Sequence, residues 1–191
     1  MSPATSTYNF TLFVHGADIL SDESMDALFE AGCDDATFGA RDGAQYGEFD
    51  REASSFSTAL ASAIHDLTTA LPNLEVVRVE PDDLVSMATI AERSGRSRES
   101  IRLLAAEQRG PGGFPPPVAY VDHKTRLWHW PDVAHWLTDH GKANVHIDPE
   151  AADLVAALNA AYDLREHTRL LPKTALALID EALSSSRLAH P

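Results

Sequence analysis

The residues best suited to chemistry are arginines with short hydroxyls between them: Arg96, Ser97, Arg98, Ser100 and Arg102 fall within one short run. Guanidinium groups spaced this way can fork onto guanine edges, and hydroxyls at a helix amino end can hold phosphate oxygens. Arg109, Lys124 and Arg126 add cations further along. The nine histidines suit metal binding by type. His123, His129, His135, His140 and His146, however, recur every five or six residues, which never puts two imidazoles on one helical turn. No metal site and no cofactor are expected. The sequence has no nucleophile elbow and no Ser-His-Asp pattern, and Gly110-Pro111-Gly112-Gly113 lacks the Lys-Ser/Thr that completes a phosphate loop. Asp34-Asp35 and Asp82-Asp83 read as capping or turn residues. These observations predict a binding protein and not an enzyme.

The elements that would position the arginines can be read around them. Met87 to Ser94 has helical periodicity, Gly95-Arg96 is a turn signal, and Ser97 is a side-chain N-cap opening a second helix through Glu107. Ile90, Ala91, Ile101 and Leu104 are the apolar positions that would pack the two helices together. Phe114 to Val118, a polar turn at Asp122 to Thr125, and Arg126 to Trp130 predict a two-stranded wing, followed by a closing helix from Pro131 to Leu137. Two short helices joined by a tight glycine turn form the unit that lays its second helix in the DNA major groove. Arg96, Ser97, Arg98, Ser100 and Arg102 then lie at or near the start of the recognition helix. Lys124 and Arg126 lie on the wing, within reach of the backbone or minor groove, or else on an ordinary exposed hairpin.

The same stretch resembles the excisionase-like branch of the MerR superfamily of DNA-binding domains. The matching residues are Ile90-Ala91, Gly95, Ser97-Arg98, Ile101-Arg102, Phe114-Pro115, Pro117-Val118, Arg126, Trp128, Asp132-Val133 and Trp136-Leu137. The resemblance covers residues 84–137 and implies a winged helix-turn-helix that binds double-stranded DNA. It also assigns Trp128 and Trp136 to packing between wing and helix, and Trp130 is read the same way. Ala106 to Gly113 is longer than the family's usual link between recognition helix and wing.

A net charge of −14 over 191 residues would seem to oppose nucleic acid, since phosphate contacts need cations. The charge is unevenly distributed. Residues 1–83 hold 3 Lys+Arg against 16 Asp+Glu (net −13), residues 84–140 hold 7 against 6 (net +1), and residues 141–191 hold 5 against 7 (net −2). Five of the seven central cations, Arg93, Arg96, Arg98, Arg102 and Arg109, lie on or next to the helix pair. The acidic part must point away from a duplex or compete with it for the basic face. The lone Cys33 excludes an internal disulfide and reads as a small buried residue at a helix end. No apolar run is long enough for a bilayer span and the first residues lack signal-peptide character, so a cytoplasmic protein without membrane contact is expected.

The flanking regions predict two further units. Tyr8–Gly16 alternates like a strand, Ser21–Gly32 carries helix start and stop signals, and Asp42-Gly43 marks a hairpin between Ala36–Arg41 and Gln45–Glu52. A helix over Ser55–Leu71 and a strand over Leu74–Val79 complete the order βαββαβ, which can close as a ferredoxin-like sandwich. From Asp148 to Ser186, stripes at Leu154, Val155, Leu158 and Tyr162, and at Leu176, Ile179 and Leu183, predict a helical hairpin. It would pack on its own chain or form a dimer interface.

The expected fold class is therefore α+β: an acidic ferredoxin-like module (1–83), a winged helix-turn-helix (84–140) and a C-terminal helical hairpin (141–191). The expected function is a sequence-specific transcriptional regulator, a homodimeric repressor. A symmetric dimer would set two recognition helices about 34 Å apart on a palindromic operator. The acidic module would take a basic protein partner or a small-molecule effector. An antitoxin-like protein that neutralises a partner and represses its own promoter is the alternative. A phage-type architectural excisionase is the third class, and it leaves the flanking units unexplained.

Overall fold

Alternation of apolar and polar side chains builds the first sheet. In the computed structural model, which describes residues 5–120 and 125–187, β1 (Ser6–His15) buries Phe10, Leu12 and Val14 and leaves Thr7 and Asn9 exposed. β2 (Ala36–Arg41) and β3 (Ala44–Ala53) are joined by Asp42 and Gly43, both at positive φ (52° and 85°), the pair of conformations a two-residue type I′ hairpin requires. With β4 (Glu75–Glu80) the strands form an antiparallel sheet in the order β2-β3-β1-β4. Two helices complete the expected βαββαβ element order, α1 (Asp22–Glu30) and α2 (Phe56–Ala70), each started by a serine hydroxyl that accepts a backbone N–H: Ser21 from Ser24 and Ser55 from Thr58. Leu28, Leu60, Ala63 and Leu67 from the helices share one core with Phe10, Leu12, Phe49, Val76 and Val79 from the strands.

That core holds one charge. Arg51, 6% exposed, donates to both oxygens of Asp35 (2.8 and 2.9 Å), to Asp66 (2.5 Å), to Ser62 Oγ (3.2 Å) and to the Gly32 carbonyl (2.8 Å), and it lies over the Phe49 ring. The hydrogen bonds it donates to Asp35 hold its guanidinium well above the ordinary range. Paired and saturated this way, a buried cation specifies one arrangement of the elements around it. Beside it, burial pushes the Cys33 thiol up to about 11, so it stays protonated as a small buried side chain.

A second core is built from β5 (Leu84–Ser86), α3 (Met87–Arg93), α4 (Arg98–Ala105), β6 (Leu127–His129) and α5 (Trp130–Asp139). Val85, Ile90, Ile101, Leu104, Trp128 and Leu137 are among its buried members. β6 pairs antiparallel with β5, whereas the wing strand expected at Phe114–Val118 is reduced to Val118 and Ala119 bonding Leu127. Pro115, Pro116 and Pro117 have no N–H to extend that ladder. The rest of the expected wing turn, including Lys124, lies outside the described residues.

The C-terminal region differs from the hairpin expected of it. α6 (Pro149–Thr168) runs along β4 and against α5, and α7 (Lys173–Arg187) is not among its main packing partners. Val155 enters the first core with Leu154, Leu158 and Tyr162 packed on it, while Ala152 joins the second. Residues 141–191 are therefore not a unit of their own. Asn159, 2% exposed, accepts from Val79 N–H (2.8 Å) and donates to the Val79 carbonyl (3.0 Å) and to Asp83 (3.1 Å), and Arg165 donates to the Val76 carbonyl (2.5 Å). Side chains of α6 thus close the outer backbone edge of β4, which would otherwise be open to strand addition. α7 has no comparable packing partner: Leu178 is 68% and Leu183 50% exposed, with Leu176 and Ile179 only half-buried. Among the described residues no helix is long and apolar enough to cross a membrane.

Candidate nucleic-acid interface

The α3–α4 pair is fixed by caps and by one glycine. Ser86 accepts from Thr89 N–H at the start of α3, and Ser97 accepts from Ser100 N–H at the start of α4. Between them Gly95 sits at φ 65°, and a Cβ there would come within 2.9 Å of Val145 Cγ1, so neither the conformation nor the space suits another residue. α4 buries Ile101 and Leu104 and exposes Arg98, Glu99 and Arg102. Arg98 and Arg102 are four residues apart, which stacks them on one face.

The predicted site residues fall into three groups. Arg98 and Arg109 are exposed and form no hydrogen bond or ion pair among the described residues, and Arg126 is exposed at the entry to β6. Arg102 is also exposed but donates two hydrogen bonds to the Glu99 carboxylate (2.8 and 2.7 Å), which raises its own pKa and lowers that of Glu99. A solvent-facing pair of this kind contributes little and exchanges readily for another anion. Ser97, Ser100 and Arg96 instead hold the scaffold. The Ser97 hydroxyl is used as the cap, and Arg96 donates to Ser100 Oγ (3.1 and 2.9 Å) and to the Lys142 carbonyl (2.6 Å).

Arg96 is part of a clamp that sequence reasoning missed. Asn144 N–H donates to the Ser94 carbonyl and its side-chain amide to the Gly95 carbonyl, both at 2.9 Å, so the segment after α5 straps the turn between the helices. Nothing local in the sequence marks a bond over such a separation. The Glu99–Arg102 pair was findable, because an i,i+3 acid–base spacing on a helix is a known signal.

Arg93 corrects the count of cations the helix pair offers outward. Its guanidinium lies 5.2 Å from the Trp130 ring centre and donates to the Asp82 carbonyl (2.6 Å), and burial lowers its pKa. It joins the helix pair to the end of the first module and is not offered outward. Trp128, Trp130 and Trp136 are 2%, 8% and 7% exposed and belong to the core. The long link after α4 is shaped by them: Trp136 Nε1 donates to the Gly112 carbonyl and Trp128 Nε1 to the Pro115 carbonyl, each at 3.1 Å. Gly110 in that link comes so close to Leu104 that a Cβ would lie 2.8 Å from its Cδ2.

The open side of the first module's sheet carries a row of acid. Along β3, Phe49 and Arg51 are buried while Glu48, Asp50 and Glu52 are exposed on the other face, and Asp50 accepts a hydrogen bond from Asn9. In chemical terms, α4 offers two forked cations and a carboxylate from one exposed face, suited to base edges and phosphates, while the sheet offers a row of carboxylates. Among the described residues no group of three or more His, Cys, Asp or Glu could hold a metal ion. Against protein-family models, curated proteins and solved structures the chain finds no match.

Proposed function

We propose that the chain is a sequence-specific DNA-binding regulator in which residues 84–140 act as a winged helix-turn-helix of the excisionase-like kind. In this reading the acidic βαββαβ unit is a ferredoxin-like module that tunes DNA binding or captures a partner. The protein acts as a dimer on a two-fold operator. The observation that carries the proposal is the outward face of α4, where Arg98 stands without a competing partner among the described residues, one turn from Arg102, on a helix whose opposite face is buried by Ile101 and Leu104. A helix held this firmly and presenting cations near its amino end can enter the major groove.

Selection of bound DNA from a random pool with the full chain, followed by footprinting, tests it directly. A short enriched motif is expected, and Arg98→Ala should lose about 1–3 kcal/mol of discrimination at one position of each half-site. A pool that shows no enrichment would overturn the proposal. The antitoxin-like alternative draws support from the exposed carboxylates of β3, which would complement a basic partner protein.

A further inference from the structure

We infer that the cavity where the two cores and α6 meet is a binding site for a small apolar molecule carrying one ammonium group. Phe56 at the start of α2, Pro81 just after β4, Trp130 at the start of α5 and Val155 of α6 form its apolar walls, and Asp83 and Asp148 stand at its polar side. Its volume is about 130 Å³. A cavity of about 150 Å³ with apolar walls accepts a benzene ring, so one ring or a short branched chain is the size that fits.

The charge of the lining selects the class of molecule. None of the residues lining the cavity is a lysine or arginine, so a carboxylate would meet only like charge. Asp83 is partly committed, accepting from Asn159 and lying 3.6 Å from Arg78. Asp148 gives one oxygen to the N–H of Ala151 as the cap of α6 and is otherwise exposed, which leaves its charge available at the mouth. Trp130 already carries Arg93 over its ring, so the ring serves as an apolar wall and the carboxylates meet the ligand's charge. The first module, α5 and α6 all contribute, so an occupant would stabilise the docked arrangement of all three. The assignment does not depend on the chain binding DNA, and its test contains none.

The full chain is titrated at neutral pH with benzylammonium, benzyl alcohol and benzoate, following the Trp130 indole and Val155 methyl resonances. Saturable shifts at both are expected for benzylammonium, about fivefold weaker binding for the uncharged alcohol, and no binding of benzoate. Asp148→Asn keeps the helix cap, because Asn caps as well as Asp. It should weaken benzylammonium about fivefold and leave the alcohol unchanged. Ala151→Leu, which fills the mouth, should remove both. Shifts that never saturate, that spread over the acidic sheet instead of Trp130 and Val155, or that benzoate reproduces would overturn the inference.

Discussion

Single side chains in this protein divide between those that hold the scaffold and those left exposed to solvent. Arg51, Arg93 and Arg96 are spent on carboxylates, carbonyls and rings inside the fold, whereas Arg98 and Arg109 are not. Identity alone does not separate them, and burial does. His135 is an intermediate case. On α5 it shares a hydrogen bond of 2.8 Å with Asp153 of α6, and that bond raises the imidazole pKa, with Asp139 and Asp132 adding to the effect. Because the folded pKa is raised, the stabilisation is fully present below the ordinary value near 6.5 and is lost as pH rises through the folded value. Both partners are about half exposed, so solvent screening keeps the contribution small. The thermal midpoint of the parent minus that of His135→Gln should be largest near about pH 5.5 and shrink towards about pH 8.5. A difference that is flat or grows with pH would remove the pair from any role in docking α5 on α6.

At the level of elements, the decisive contact is α6 against the outer edge of β4. Asn159 matches the donor and acceptor of Val79 as a neighbouring strand would, and it does so from a helix. Asn159→Leu keeps the branched outline of the side chain but strands a buried N–H and a buried carbonyl, so it should cost about 2–4 kcal/mol. Urea denaturation should show the lower midpoint with an unchanged slope; a loss well under that range would mean water replaces the amide. This contact also marks the limit of what the sequence made legible. Ser21, Ser55 and Ser97 were readable as caps because a cap hydroxyl acts within three residues of itself, and Asp42-Gly43 because both φ values are local. The stripes of α6 and α7 were readable as helices, yet periodicity says only that a face is apolar, not what covers it. Asn159 meets Val79 from 80 positions away and Arg96 meets Lys142 from 46, so neither contact leaves a local pattern. Within the proposed site, Arg98 and Arg102 were legible from spacing. The commitment of Arg96, Ser97 and Ser100 to the scaffold became visible only with the turn and its strap in place.

For the whole molecule, two surfaces remain to be accounted for: the apolar side of α7 and the acidic face of the first sheet. Leu158 packs on its own core, whereas Leu176, Ile179 and Leu183 on α7 do not. If α7 forms the dimer interface, Ile179→Asp with Leu183→Asp should lower the thermal midpoint only by what dimerisation adds, a difference that grows with protein concentration. In sedimentation it should yield monomers whose affinity for a two-fold site falls by about 100-fold or more, since the second half-site is no longer tethered. An unchanged dimer mass would place the interface elsewhere. The acidic face calls for a gentler test than removing the module, because Val155, Leu154 and Leu158 complete its core and truncation would strip α6. Glu80 of β4 lies across Thr11 from Glu48 on the same face, so Glu48→Gln, Glu52→Gln and Glu80→Gln together remove three charges and leave Asp50 with its Asn9 partner. If the module tunes DNA binding through its field, the triple variant should bind duplex more tightly at low salt. That gain should fade as the screening length shortens to about 8 Å near physiological ionic strength. The slope of log affinity against log salt should therefore be steeper than the parent's, because the gain present at low salt is screened away as salt rises. Equal affinity at the lowest salt would show that the duplex does not feel this face, and would leave capture of a basic partner as the remaining use for its carboxylates.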